Sequence, residues 1–317
     1  PLAVDVSALG DIFADPAIEK IFNAAEYDFL SMKRDFGFVF NNLFDTMLVA
    51  RILGWPRYGL GPLLEEYFGI QPDKKFQRYN WGQRPLSKKA LEYAHLDTHY
   101  LIPLREIQLQ HLTDQHRQRE AAGAFERLTQ VEPTPKIFNP DDFWRIKYAR
   151  DLRPQQQAVL RQLFILRNKL ARRLDRPPFK VMNDRVLVEL AKTQPRTADE
   201  LDQLDGLGKK LLYHNVDSIL EAIRVGQEAS TPTYSSQNQH RPDSHTMTRY
   251  ETLRQWRNDV AAERGVEPDV IISNHILMEI ARSNPKSLGK LVQSGILDEW
   301  QQETYGKMLL NVLKTPL

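Results

Sequence analysis

Apolar residues recur at helical spacing through most of the chain. Val159, Leu163, Leu166 and Leu170 fall three or four apart and predict one amphipathic helix, which Pro177-Pro178 ends. Val186 to Ala191 reads as a short apolar helix stopped at Pro195. Thr197 and Glu200 have the spacing of a capping box for the next short helix. Gly206-Leu207-Gly208 then turns the chain into a last helix from about Lys209 to Val225. The pattern predicts a bundle of four or five short helices.

That pattern occurs twice. Residues 163–201 align with 253–291 at a constant offset of 90, with ten identities in 39 positions. Leu163, Arg167, Asn168, Ala171, Pro178 and Leu187 return as Leu253, Arg257, Asn258, Ala261, Pro268 and Leu277. Two copies of one fold are expected, rather than a solenoid. Between them, residues 228–246 are rich in Ser, Thr, Gln, Asn, Pro and His and read as a flexible linker.

The front of the chain mixes periods. Ile18 to Asn23 suggests a short strand leading into a helix from about Ala25 to Arg34, and Gly37 to Phe44 alternates like a strand. Helices are predicted at Thr46 to Leu53 and Leu60 to Phe68, stopped by Gly54 and Gly69. Ser87 caps a longer one reaching about Leu101, with Pro103 marking a kink or break. Residues 113–150 read as a mainly helical connector. Two short strands cannot form a self-sufficient sheet. With no Met at its start, the chain is expected to be part of a longer sequence whose first strands precede Pro1.

Composition narrows the chemistry. The chain has 317 residues, room for two or three domains. It has no cysteine, which excludes disulfides, thiolate zinc sites and a cysteine nucleophile. No apolar run approaches the roughly 18–20 residues of a membrane helix. Net charge is only +2, but it is uneven: residues 1–112 carry −2, 151–227 carry +4, and 247–317 are neutral. Contact with a polyanion would have to come from a local patch. Arg161, Arg167, Lys169, Arg172, Arg173, Arg176 and Lys180 stand against the single acid Asp175, and Lys209-Lys210 follow a glycine turn whose amides could face a phosphate. A solvated helix face with a simple glycine turn explains the same residues.

Tyr93 and Asp97 lie four apart, on one helix face. Such a carboxylate could hold a divalent metal, and the phenol could orient a water. Spacing alone favours an ordinary surface Tyr and a solvated Asp. Asp28 reads as favourable charge at a helix start, and Asp45 before Thr46 as a cap.

The context adds more. Asn23-Ala24-Ala25-Glu26-Tyr27-Asp28 is followed by Asp35-Phe36-Gly37, Leu43-Phe44-Asp45-Thr46 and Ala50-Arg51-Ile52-Leu53-Gly54. Then come Glu65-Glu66-Tyr67-Phe68-Gly69, Asp73-Lys74, Gln77-Arg78, Trp81, Arg84-Pro85-Leu86 and Glu92-Tyr93-Ala94-His95-Leu96-Asp97. In order and spacing the chain resembles ribonuclease D, of the tyrosine-bearing branch of the four-acid 3′–5′ exonucleases. The repeat is similar to the helicase-and-RNase-D C-terminal (HRDC) domains.

The resemblance implies an α/β fold, a truncated ribonuclease-H-like exonuclease core over 1–112. The connector would lead to two all-α HRDC-like bundles at 151–227 and 247–317. It implies two Mg²⁺ or Mn²⁺ ions hydrolysing the terminal phosphodiester at an RNA 3′ end. Asp28 would be the second-motif acid, Asp97 the third-motif acid, and Tyr93 the residue that positions the attacking water. Arg172, Arg173, Lys209 and Lys210 would bind RNA, and the second copy would be structural, packing the domains together. A cytoplasmic monomer trimming tRNA precursors is expected. The family's first motif, Asp-x-Glu, occurs nowhere in the 317 residues. The 317 residues alone are therefore expected to be unable to hydrolyse RNA. A catalytically inactive RNA-binding protein and a DNA 3′–5′ exonuclease are the alternative readings.

Overall fold

The computed structural model describes residues 5–134, 137–204, 209–234 and 242–314, the side chains of 209–213 excepted. The chain forms two compact units, residues 1–134 with 241–317 and residues 135–240. None of the described helices is long and apolar enough to cross a membrane.

In the first unit, α1 (Ser7–Ala14), β1 (Lys20–Phe22), α2 (Glu26–Phe36), β2 (Leu43–Asp45) and α3 (Thr46–Ile52) follow one another. They precede α4 (Leu60–Phe68), α5 (Lys88–His99), α6 (Leu101–Asp114) and α7 (Gln118–Thr129). β1 and β2 pair in parallel, with Lys20 opposite Leu43 and Phe22 opposite Asp45. The alternation from Gly37 yields a strand only at Leu43–Asp45. Phe38 and Phe40 instead pack their rings with Phe13 from α1, and Phe40 stacks on Phe29 of α2 at 3.9 Å. Alternation there records ring burial between two helices, not sheet pairing.

The helix expected from Ser87 to Leu101 breaks at Tyr100, so Pro103 falls in the first turn of α6, where no backbone N–H is needed. Residues 113–134, read as connector, supply α7 to this unit. Its Ala121 and Leu128 are buried against β2, α3 and α2.

The second unit contains α8 (Pro154–Arg173), α9 (Pro178–Val181), α10 (Asp184–Thr193), α11 (Ala198–Asp202) and α12 (Lys209–Glu228). The first unit contains the other copy, α13 (Ser244–Arg264), α14 (Pro268–Ile271), α15 (Asn274–Ser283), α16 (Leu288–Gln293) and α17 (Glu299–Lys314). The copies agree in detail. Pro178 and Pro268 open α9 and α14, and Thr197 and Ser287 cap α11 and α16. Arg167 donates to Met182 O and Asp184 Oδ1, and Arg257 donates to Ile272 O and Asn274 Oδ1. Both guanidiniums are buried struts between their long helix and the turn after the short one. Arg167 therefore leaves the basic surface to which its charge had assigned it.

Within the first unit the second copy packs on α3 and α7. Arg264 donates to Glu120 at 2.7 and 2.9 Å and to Tyr305 Oη at 2.7 Å, with Glu120 and Tyr305 both buried. Arg51 pairs with Glu267 and Asp269, and Arg127 with Asp298. At Gly54, φ is +74°, and a Cβ would stand 2.6 Å from Gly265 O, so only glycine permits this approach.

Removing one partner of a buried ion pair strands the other charge, at a cost of about 3–5 kcal/mol. Glu120→Ala should lower the unfolding free energy by about that amount. Glu120→Ala with Arg264→Met should recover most of it. Urea unfolding of the two variants and the parent measures both.

Candidate functional site

The site begins at the turn before α2. Ala24 has a left-handed backbone, φ 61°, which an L side chain adopts only when its surroundings hold it there. Here the hold is Asp45, whose fully buried carboxylate accepts from Ala24 N at 3.3 Å and Ala25 N at 2.7 Å. The same carboxylate caps α3, accepting from Met47 N and Leu48 N at 2.9 and 3.0 Å. The sequence reading of Asp45 as a cap is correct, and its reach to the second helix is additional. Thr46 Oγ1 donates to Phe22 O and accepts from Asn23 Nδ2, while buried Gln108 of α6 donates to Thr46 O. One polar knot thus ties the ends of both strands to the starts of α2 and α3.

Asp28 projects from the first turn of α2, one turn beyond this knot. It keeps an exposed surface and makes no hydrogen bond or ion pair among the described residues. Protein crowding around the carboxyl, then the charge of Asp45, raises its pKa above the usual carboxylate value.

Tyr93 and Asp97 share a face of α5 and line one cleft of about 680 Å³. α4 and the segments on either side of it supply the rest of the lining, including Arg57, Glu65, Lys74 and Gln77. Asp28 is not among the residues lining this cleft. Tyr93 is held by aromatic neighbours, Phe76 at 5.7 Å and Trp81 at 6.1 Å between ring centres. Burial, then the charge of Asp97, raises the Tyr93 pKa, against a hydrogen bond from Gln77. Asp97 also has a raised pKa, from burial, and no cationic partner among the described residues. Solvent still reaches both Asp28 and Asp97, so the shifts are modest.

Sequence reasoning had not assigned roles to Gln77 and Phe76, which orient Tyr93. Their signal was their place in the runs around Asp73-Lys74 and Gln77-Arg78. Arg172 and Arg173 are exposed on α8, and Arg173 donates to Asn215 at 2.6 Å. The side chains of Lys209 and Lys210, and the whole Gly206–Gly208 turn, lie outside the described residues.

Hard carboxylate oxygens free of cationic partners suit Mg²⁺ or Mn²⁺ in kind. In number they fall short. Among the described residues no three His, Cys, Asp or Glu side chains come together as a metal site.

Residues 2–113 match the 3′–5′ exonuclease family, and residues 156–223 and 247–313 each match the HRDC domain. Ribonuclease D of Escherichia coli K12 is 27% identical over 319 residues, spanning 99% of this chain and 84% of that protein. The exosome complex exonuclease RRP6 of Saccharomyces cerevisiae is 28% identical over 257 residues, 74% of this chain but 35% of that protein. The chain spans only 23% to 35% of the length of three RRP6-type relatives it matches. The crystal structure of E. coli RNase D covers 100% of this chain and 85% of its own, with a TM-score of 0.63 at 24% identity, and so supports the fold. The catalytic core of RRP6 from Trypanosoma brucei gives a TM-score of 0.61 at 25% identity over 68% of this chain and 60% of its own.

The chain therefore carries a ribonuclease-H-like 3′–5′ exonuclease domain and two HRDC domains. In that domain order it is similar to ribonuclease D of Escherichia coli and of Bartonella henselae. The family is divalent-metal dependent.

The raised pKa of Asp97 has a stability consequence with a definite sign. Its ionised form is disfavoured in the fold, so stability is lost as pH rises through the raised pKa, and the penalty is absent below the unfolded value. Asp97→Asn should be more stable than the parent at pH 7, with the gain shrinking as pH falls toward about 4. Denaturation midpoints across that range test this. A variant less stable at pH 7 would reveal an undetected cationic partner.

Proposed function

We propose that this chain is the greater part of a 3′–5′ exoribonuclease of ribonuclease D type, trimming RNA with a free 3′ end, tRNA precursors among them. Domain order supports the reading most directly: an exonuclease domain and two HRDC domains, matched almost end to end by ribonuclease D. The metals would be Mg²⁺ or Mn²⁺, held by Asp28 and Asp97 together with acids that these 317 residues do not supply as Asp-x-Glu. Bound there, two such ions stabilise the attacking and leaving oxygens of an in-line displacement.

The protein's own groups orient and exclude. Tyr93, fixed by Phe76, Trp81 and Gln77, keeps its phenol protonated at neutral pH, as the ordinary phenol pKa already ensures and its upward shift reinforces. It can therefore donate a hydrogen bond to a water beside Asp97. Lys74 in the same cleft offers charge to the scissile phosphate, whereas Arg57 is paired with Glu65 at 2.6 Å. The second unit supplies RNA affinity through Arg172 and Arg173, joined in this reading by Lys209 and Lys210. The protein works as a cytoplasmic monomer.

A second reading, an RNA-binding protein without catalysis, is favoured by one observation: no Asp-x-Glu occurs in these residues. One assay separates the two. The 317 residues alone should leave a 3′-labelled RNA intact in Mn²⁺, and a longer chain bearing an upstream Asp-x-Glu strand should trim it. In that longer chain Asp97→Asn should abolish trimming, and Tyr93→Phe should slow it by about 10²-fold with little change in RNA affinity. No trimming by the longer chain would leave the binding reading.

A further inference from the structure

The segment leading into α8 has a use that packing does not explain. Phe143, Ile146, Ala149 and Leu152 are buried, every third residue, in the core of the second unit. That period turns Lys147, Tyr148, Arg150 and Arg153 outward, and all four are exposed. Lys147, Arg150 and Arg153 have no acidic partner among the described residues, whereas Arg145 and Arg161 are paired with Asp142 and Asp141. Asp151, exposed between Arg150 and Arg153, is the single acid from 147 to 153, where surfaces ordinarily interleave both signs more evenly.

Aromatic rings sit among these cations. Tyr148 holds a left-handed backbone, φ 70°, and the residue is 56% exposed. A large side chain kept at positive φ and turned to solvent marks strain that packing does not repay. Lys147 Nζ lies 4.9 Å from the Tyr148 ring centre. The Arg150 guanidinium lies 4.1 Å from the ring centre of Tyr234, donates to its hydroxyl at 2.7 Å, and Trp144 meets the same ring edge-on at 5.4 Å. One repeat later, positions 147, 148, 150 and 153 become Gln237, Asn238, His240 and Asp243. At those positions the sequence before the second copy has neither the cations nor the ring.

We infer that Lys147, Tyr148, Arg150 and Arg153, with Trp144 and Tyr234 behind them, form a binding ridge for single-stranded RNA. Unpaired cations take the phosphates, and Tyr148 offers a face on which an unstacked base can lie. A duplex, whose bases are already stacked, can use only the cations. The inference rests on the RNA reading above but not on hydrolysis, and it concerns residues distinct from Arg172 and Arg173.

The test uses the full chain in EDTA and a fluorescent ten-nucleotide single strand, with a blunt RNA duplex as comparison. Base stacking on an aromatic ring contributes about 1–3 kcal/mol, so Tyr148→Ala should weaken single-strand binding about five-fold or more and leave duplex binding unchanged. Tyr148→Phe should bind like the parent. Lys147→Ala with Arg150→Ala should weaken both ligands and flatten the salt dependence. Unchanged single-strand affinity in Tyr148→Ala, or an equal loss for strand and duplex, would overturn the proposal. Metal-dependent trimming by the otherwise unaltered longer chain is read separately, so failure of the ridge and failure of the nuclease reading remain distinguishable.

Discussion

A buried carboxylate with no cation beside it is the constraint on which the exonuclease unit depends. Asp45 has no exposed surface, and a charge so placed persists only when hydrogen bonds replace its water. Four backbone N–H groups do so, two at the start of α3 and two at the turn into α2. Because these belong to segments twenty residues apart, the carboxylate is both a helix cap and a tertiary bond. It fixes Ala24 in its left-handed backbone, and with it the direction in which α2 presents Asp28. It also disfavours ionisation of Asp28, coupling the structural acid to the candidate metal ligand.

The same helix α3 carries the constraint outward. Its last turn presents Arg51 to Glu267 and Asp269 of the second HRDC copy, and Gly54 just beyond it meets Gly265. The second copy is thus a wall of the exonuclease unit, as its neutral charge suggested. The first copy, in its own unit, keeps Arg172 and Arg173 exposed. The two copies share much of their buried set, Leu163 with Leu253, Leu187 with Leu277 and Arg167 with Arg257, and differ more at the surface.

Much of this was legible in the sequence. Helix caps at Ser87, Thr197 and Asp45 act locally, so residue type and spacing reveal them. The pairing of Tyr93 with Asp97 follows from helical geometry. Less legible were contacts between distant segments: Asp45 to Ala25, Gln108 to Thr46, Glu120 to Arg264. Charge alone misassigned Arg167 to the surface, although its recurrence as Arg257 in a copy lacking the basic patch pointed to a structural role. The strand predicted from Gly37 failed because alternating phenylalanines satisfy ring packing as well as sheet pairing.

The central claim is that Asp45 holds α2 and α3 together, and amide hydrogen exchange at single residues tests it most directly. In Asp45→Ala, the amides of Ala24 and Ala25 should lose protection together with those of Met47 and Leu48, and Asp45→Asn should retain part of it. Loss confined to Met47 and Leu48, with Ala24 and Ala25 still protected, would show that Asp45 is only a cap and that something else positions Asp28.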